Sequence, residues 1–305
     1  MSGPDEVRAK QVSGSIGIAG AGRVAQALGR LLRERGEPVT AVASRDPAHA
    51  AAAARFVGGR AQPVTYAELP TRAGRILVAV SDDAITQVAR ILAENGMRQG
   101  IALHTGGALG PEALEPLAAA GVSCGVLHPL QTVATPEQGL AVLPDCAFAI
   151  DGDPPALTWA ERIAGLLGGE ILRIPPEKKV FYHAAAVMAS NYVAGLTEAA
   201  VMLMGAAGVD EKTALRAIGP LLKASASNAV RLGPAAALTG PVQRGDIATV
   251  AAHLEALERA PQAVGDLYRA AGLQVLALAR RRGLDEREAQ QIERLLSGTA
   301  KDQDV

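Results

Sequence analysis

The residues best able to do chemistry stand at the ends of apolar runs. Ile16-Gly17-Ile18-Ala19 leads into Gly20-Ala21-Gly22-Arg23-Val24-Ala25, a Gly-x-Gly-x-x-Ala turn that opens a helix. Such a turn suits a diphosphate: Gly20 permits the sharp bend, Gly22 lets the backbone approach the pyrophosphate, and Ala25 keeps the helix close to the sheet. The free amides of the first turn and the positive end of the helix dipole attract the anion, which makes Gly20, Ala21, Gly22, Arg23 and Val24 the expected diphosphate grip. The turn alone is a weak signal; its place at the first crossover of an alternating strand and helix pattern makes it specific. NAD enzymes hold an acidic residue at the end of the second strand, about 20 residues on. This chain has Ser44-Arg45 there, a hydroxyl and a guanidinium suited to a 2'-phosphate, so NADP (NADPH) is expected in preference to NAD. A competing reading turns Asp46 inward onto the ribose instead of using it as a helix cap.

Other polar residues sit at the remaining strand ends, where ligands of open parallel sheets bind. Ser81 and Asp82 either meet the cofactor or, with Asp83, cap the following helix. Thr105, after His104, is an expected cofactor contact, and Gly106 and Gly107 either let the cofactor pass closely or make a plain turn. His128 either passes a proton beside the nicotinamide or is a structural ring. Further on, Lys179, His183, Ser190 and Asn191 occupy one helical stretch. At about 100° per residue His183 and Ser190 fall almost on one line, and a rise of about 1.5 Å per residue puts Asn191 about 12 Å beyond His183. Ser190 and His253 are expected substrate contacts; Arg244 either joins them or is solvated, and Asp246 either joins them or caps a helix. His104, His128, His183 and His253 lack any paired ligand spacing, so no metal is expected.

The elements that position these residues follow from periodicity. Apolar runs predict strands at Ser15–Ala19, Val39–Ala43, Ile76–Val80, Ile101–His104, Ser123–Leu127, Ala147–Asp151 and Glu170–Ile174, with a weaker one near Pro63–Val64, all alternating with helices as in a parallel sheet. Helices are expected at Arg23–Arg35, after the Asp46-Pro47 cap, at Ala84–Glu94, and from Pro111 to Ala120. The alternation stops at Pro175-Pro176. Thereafter Glu177–Met204, Asp210–Leu222, Asp246–Glu258, Pro261–Arg282 and Asp285–Leu296 carry helical periodicity, with Gly233 to Gly245 read as a structured loop. The fold class is therefore α/β, a Rossmann-type parallel sheet domain over 13–175 followed by an all-α domain over 176–297, with flexible tails at 1–12 and 298–305.

Composition narrows the rest. The 305 residues are 49% hydrophobic but only 3% aromatic, so the core has to use close approach of small side chains. Thirty basic and 31 acidic residues leave no basic block for a nucleic acid partner. Met1 to Val12 lacks the apolar core of a signal peptide, Cys124 and Cys146 lie in apolar strand-like runs, and a cytoplasmic location is expected. The most apolar run, Ala184 to Val201, contains Ser190, Asn191 and Glu198 and reads as a buried helix rather than a membrane span.

Gly20-Ala-Gly-Arg-Val24, Val80-Ser-Asp-Asp-Ala-Ile85, His128-Pro-Leu-Gln-Thr132, Tyr182-His-Ala-Ala-Ala-Val-Met-Ala-Ser-Asn191 and Leu238-Thr-Gly-Pro-Val-Gln-Arg-Gly-Asp246 occur in order. On these motifs the chain, from about Ser15 to Leu296, resembles the bacterial two-domain family that joins a Rossmann-like domain to a helical domain of unknown function (DUF2520). That family is similar to the superfamily of 6-phosphogluconate dehydrogenase, ketopantoate reductase, pyrroline-5-carboxylate reductase and deazaflavin-dependent NADP reductases. The resemblance implies NADP, hydride transfer to or from a small carbonyl, imine or hydroxy acid in an interdomain cleft, and a homodimer through the helical domain. It also implies a catalytic Lys-x-x-x-Asn pair, where this chain has Lys179-x-x-x-His183, leaving either residue as the proton donor with Asn191 and His128 orienting polar groups. Gly106 and Val133 replace the serine and phenylalanine usual in the motif, and His128-Pro129 resembles a histidine motif of prephenate dehydrogenases. A non-catalytic NADP sensor or scaffold is the alternative reading.

Overall fold

The computed structural model describes residues 14–298, which divide into two compact units between Asn191 and Tyr192. Most of both expected tails lies outside the described residues.

The first unit is built on one eight-stranded sheet among the described residues. Its strands are β1 (Ile16–Ala19), β2 (Val39–Ala43), β3 (Gln62–Val64), β4 (Arg75–Val78), β5 (Ile101–His104), β6 (Ser123–Pro129), β7 (Phe148–Gly152) and β8 (Ile171–Leu172). They lie in the order β3-β2-β1-β4-β5-β6-β7-β8, so strand order reverses between β1 and β4. That reversal opens a crevice at the carboxyl ends of the strands. Helices α1 (Arg23–Glu34), α2 (Pro47–Val57), α3 (Ile85–Glu94), α4 (Glu115–Ala118), α5 (Pro136–Val142) and α6 (Pro154–Leu166) connect them.

Small side chains do set the spacing of these layers. A Cβ on Gly139 of α5 would overlap the Ala27 methyl of α1, and one on Gly29 would overlap Ile18 of β1. Ile16, Ile18, Leu28, Leu32, Leu77, Leu103 and Phe148 then fill one face of the sheet, and Ile76, Ile85, Leu92 and Leu114 the other. The Asp46 carboxylate caps α2 by accepting the Ala48 amide at 2.8 Å, and Pro47 opens that helix. Both cysteines are buried free thiols.

Several expectations need correction. β7 runs antiparallel to β6, pairing Pro129 with Phe148 and Gly125 with Gly152. The chain leaves β6 and re-enters the sheet from the same end, as the Leu130 amide bond to the Ala147 carbonyl shows; an apolar run reads the same in either direction. Ser81 makes no side-chain cap; a single 3-10 turn, Asp82–Ala84, precedes α3. The segment after Pro111 is a 3-10 turn, Pro111–Leu114, followed by the short α4. The long helix expected from Glu177 breaks at Ser190 (φ -125, ψ -70), leaving α7 (Lys179–Ala189) and α8 (Asn191–Ala206). The angular placement of Asn191 relative to His183 on one continuous helix therefore fails.

The second unit contains most of α8, then α9 (Glu211–Leu232), α10 (Pro234–Ala237), α11 (Ile247–Leu257), α12 (Gln262–Arg281) and α13 (Glu286–Ser297). α9 continues ten residues past the expected Leu222, through the polar run 223–228, until Gly233 ends it at φ 82. Val250, Leu254, Leu276, Ala279, Ala289, Ile292 and Leu296 form the core, and Gly272 has only room for hydrogen beside the Leu296 side chain.

The stretch expected to be a buried helix is not buried. Phe181 and Met188 on α7 are 73% and 64% exposed, and Tyr192, Val193 and Leu196 on α8 are exposed as well. By length and composition the run Pro176–Ala206 suffices to cross a membrane. The break at Ser190 leaves helices of 11 and 16 residues, each shorter than the ~20 that a bilayer requires. Apolar composition signals a face to be covered but does not say by what.

Candidate functional site

Gly20 follows β1, wedged between the two neighbouring strands: its amide donates to the Ala43 carbonyl of β2 at 2.8 Å, while a Cβ there would overlap the Ala79 carbonyl oxygen beyond β4. Its φ of 134° is open to glycine alone. Gly22, the N-cap of α1, is different: its φ is -75 and the space where a side chain would project is open. The first glycine makes the turn, and the second leaves a surface on which a ligand can lie.

That surface is one wall of a cavity of about 810 Å³ running past the ends of β1, β2, β4 and β5. Gly20, Ala21, Gly22, Arg23, Val24, Ser44, Arg45, Ser81 and Thr105, all singled out in the sequence, line it. Asp82 and Gly106 do not, but lie beside it, with Asp82 Oδ1 2.8 Å from where a Gly106 Cβ would stand. Sequence reasoning missed His49 and Tyr66, which line the cavity near Arg45. Burial pushes the Tyr66 hydroxyl up, and the Arg45 guanidinium opposes that shift. A signal for His49 existed, since it falls three residues after Asp46, and its Nδ1 lies 3.5 Å from the Asp46 carboxylate. Asp46 is thus engaged with the cap of α2 and with His49.

Beyond Thr105 lies a second cluster. His104 is fully buried; its Nδ1 accepts the Gly106 amide at 3.1 Å and its Nε2 lies 2.8 Å from the Gly110 carbonyl. The ring is therefore the neutral Nε2–H tautomer, and it ties down both ends of the turn that carries Gly106 and Gly107. His128 packs flat on that turn: a Cβ on Gly107 would stand 2.6 Å from His128 Nε2. His128 Nδ1 is 2.7 Å from the Tyr182 hydroxyl, with the rings edge to face. Lys179, one turn earlier on α7, is buried and gives its ammonium to Asp151 Oδ2 of β7 at 2.8 Å. Tyr182 and Asp151 escaped the sequence reading. The three-residue step from Lys179 to Tyr182 was the available signal for the first, but Asp151 depends on the unforeseen direction of β7.

His183 is half-buried on α7 and close enough that, after burial itself, it is the next cause holding the His128 ring down, to about 4. Ser190 Oγ donates to the Ala186 carbonyl and lies 2.8 Å from Asn191 Oδ1, at the helix break. In the second unit Arg244 is exposed at the end of a 3-10 turn, Val242–Arg244, and His253 Nδ1 lies 2.9 Å from the Tyr268 hydroxyl beside an apolar hollow of about 390 Å³. Asp246 is the cap of α11, accepting from the Thr249 amide and hydroxyl, which hold its carboxyl below the usual range.

Burial keeps His104 and His128 neutral, which gives a testable pH dependence. Both folded-state values lie below the ordinary 6.5, so below that pH the unfolded chain takes up protons that the folded one refuses. Their contribution is complete above pH 6.5 and is lost as pH falls below it, for His128 down to about 4, where the loss amounts to about 3 kcal/mol at most. Urea unfolding of the first unit should weaken over that window, and less steeply in His128→Asn; identical slopes for variant and wild type would refute the assignment.

A doubly wound sheet with a glycine-rich first turn and a helical second unit defines the class of protein. Residues 1–129 match the family model of a Rossmann-like domain, and residues 146–275 that of a domain of unknown function, DUF2520. The chain is a two-domain protein of the Rossmann-like plus DUF2520 type. Among solved structures it is similar to a proposed NADP oxidoreductase from Bacteroides fragilis, at 24% identity and TM-score 0.71 over 88% of this chain and 98% of that one. It is equally similar to protein TM1727 from Thermotoga maritima, at 25% identity and TM-score 0.70 over 88% and 99%. An NADP-bound pyrroline carboxylate reductase from Plasmodium falciparum shares the fold at 13% identity and TM-score 0.58 over 93% and 99%. A search of curated proteins finds no match.

Proposed function

We propose that this chain is an NAD(P)-dependent oxidoreductase that prefers NADP and acts on a small carbonyl, imine or hydroxy acid. One observation carries the reading: a single cavity runs from a bare backbone turn at Gly20–Val24 to Ser44 and Arg45 on one side and to Thr105 on the other. Donor chemistry fits at both ends, with amides at a helix N-terminus for the diphosphate and an arginine and hydroxyl for an adenosine phosphate. Similarly folded proteins are described as NADP-bound or as imine reductases, which supports the same reading. When bound, the nicotinamide supplies or accepts a hydride. The protein's own part is to hold the ring beside Thr105 and Gly106 and to move a proton. Lys179 and His183 were the two sequence candidates for that proton, with Asn191 and His128 as orienting groups and Arg244, Ser190 and His253 as substrate contacts.

The test combines calorimetry with a turnover screen. NADP+ and NADPH should bind at micromolar levels, and NADPH oxidation should be seen with some member of a panel of keto acids and cyclic imines, or reduction of NADP+ with a hydroxy acid. Tight binding with silence across the panel would favour the sensor reading; absence of binding would end both.

The same reading places residues 176–297 as a substrate and dimerisation domain, in a cytoplasmic protein. A second copy is the proposed cover for the exposed apolar faces of α7, α8 and α9, where Phe181, Tyr192, Leu221 and Val230 stand in solvent. Light scattering should give twice the 31.2 kDa chain mass, and a monomer mass would remove the dimer from the proposal.

A further inference from the structure

Lys179, the residue that comparison with dehydrogenase motifs makes the obvious proton donor, is already committed. Its ammonium is buried, 2.8 Å from Asp151 Oδ2 and 3.5 Å from the Leu109 carbonyl, so releasing it would leave a carboxylate without its partner. The pair braces α7 against β7, which fixes where the next turn of α7 points. Tyr182 is that next turn, and its hydroxyl meets His128 Nδ1 at 2.7 Å. His128 in turn lies on Gly107, two residues beyond Thr105 of the dinucleotide cavity.

We propose that Tyr182 is the proton donor of the reaction, with His128 as the positioning residue that aims its hydroxyl and Lys179–Asp151 as the brace that holds it in place. The inference rests on the oxidoreductase reading above. In the reducing direction the C=X carbon takes the hydride, the π pair moves to X, and X takes the proton from Tyr182 as the O–H bond breaks. The phenolate oxygen, still held by the Nδ1–H of His128, then takes a proton from water, which leaves as hydroxide; oxidation runs the same steps backwards. A neutral pair suits this work. Burial pushes the Tyr182 hydroxyl up to about 12, with Cys146 adding to the shift, so the proton is retained at neutral pH until X becomes basic. His183, Asp82 and His104 also face His128; burial and the two histidines outweigh the Asp82 carboxylate and keep the ring uncharged.

This positioning requires His128 to carry its proton on Nδ1, aimed at the Tyr182 oxygen, which is the opposite tautomer from that of His104. Long-range imidazole correlation spectra of ¹⁵N-labelled full-length protein, saturated with NADP+, read this directly. The expected result is a neutral His128 in the Nδ1–H form from pH 5.5 to 9 that converts to the Nε2–H form in Tyr182→Phe. An Nε2–H ring in the wild type, or a tautomer indifferent to Tyr182→Phe, overturns the proposal. Kinetics supply the second readout, using the panel compound that the wild type turns over fastest. Tyr182→Phe should lower kcat at least about a hundredfold with KM little changed. His128→Asn, whose amide can still donate to the phenol oxygen, should retain far more activity than His128→Leu. Equal kcat for Tyr182→Phe and wild type sinks the proposal, whereas failure of NADP+ to bind in the same samples sinks the oxidoreductase reading instead.

Discussion

Gly20→Ala is expected to abolish nucleotide binding and to destabilise the first unit by about 3–5 kcal/mol, combining a strained left-handed backbone with an overpacked contact. The new methyl would overlap the Ala79 carbonyl oxygen at a φ of 134°. Relief requires β1 and β4 to part where the Ala79 amide donates to the Ala19 carbonyl, and this pulls on the bond from the Gly20 amide to Ala43 of β2, so the turn itself must move. Gly22→Ala is the matched comparison. Its φ of -75 accepts alanine and nothing crowds the new methyl, so the thermal transition should stay within about 2 °C of wild type. The methyl would nonetheless occupy the surface on which a diphosphate has to lie, and NADP+ affinity should fall by roughly a hundredfold or more. Calorimetric titration and thermal melting of the two variants separate the roles. Retention of wild-type affinity by Gly22→Ala would mean that the diphosphate does not bind at this turn.

Arg45→Glu should cut NADP+ affinity at least about a hundredfold while changing NAD+ affinity by less than about threefold, because the guanidinium has a partner only when the 2'-phosphate is present. The exposed Arg45 sits with Ser44 and His49 at one end of the cavity. A carboxylate there replaces an attractive pair with a repulsive one and can accept a ribose hydroxyl. Asp46 does not compensate in either form, since its oxygens are taken by the Ala48 amide and by His49. Equal losses for the two nucleotides would show that Arg45 acts on the turn or on the diphosphate, and the preference for NADP would lose its physical basis.

Much of the nucleotide half was legible because its information is local. A strand end, two glycines and a helix start form one contiguous segment, and residues at the ends of adjacent parallel strands meet as a consequence of strand order. Tyr66 was not legible, and the place of His49 three residues after Asp46 signalled only a local pair, since lining a cavity depends on how a helix and a loop turn back over the sheet. The proton-handling cluster was legible only in part. His128 announced itself at a strand end, but its partner Tyr182 lies 54 residues away, and its hydroxyl is placed by a brace whose second half is on β7. Helical periodicity put Ser190 almost in line with His183, and Asn191 about 12 Å beyond His183, on one continuous helix, but the chain breaks at Ser190, where the side chain bonds back to Ala186 and along to Asn191.

By itself the sequence determined the class of fold, the diphosphate turn and the residues at the strand ends, because steric limits on glycine, hydrophobic period and helix dipoles act over a few residues. Tertiary structure alone decided the direction of β7, the pairing of Lys179 with Asp151, and so the reach of Tyr182 to His128. These depend on which end of the sheet the chain re-enters and on which buried charge finds a counter-charge, both of which are settled by long-range packing.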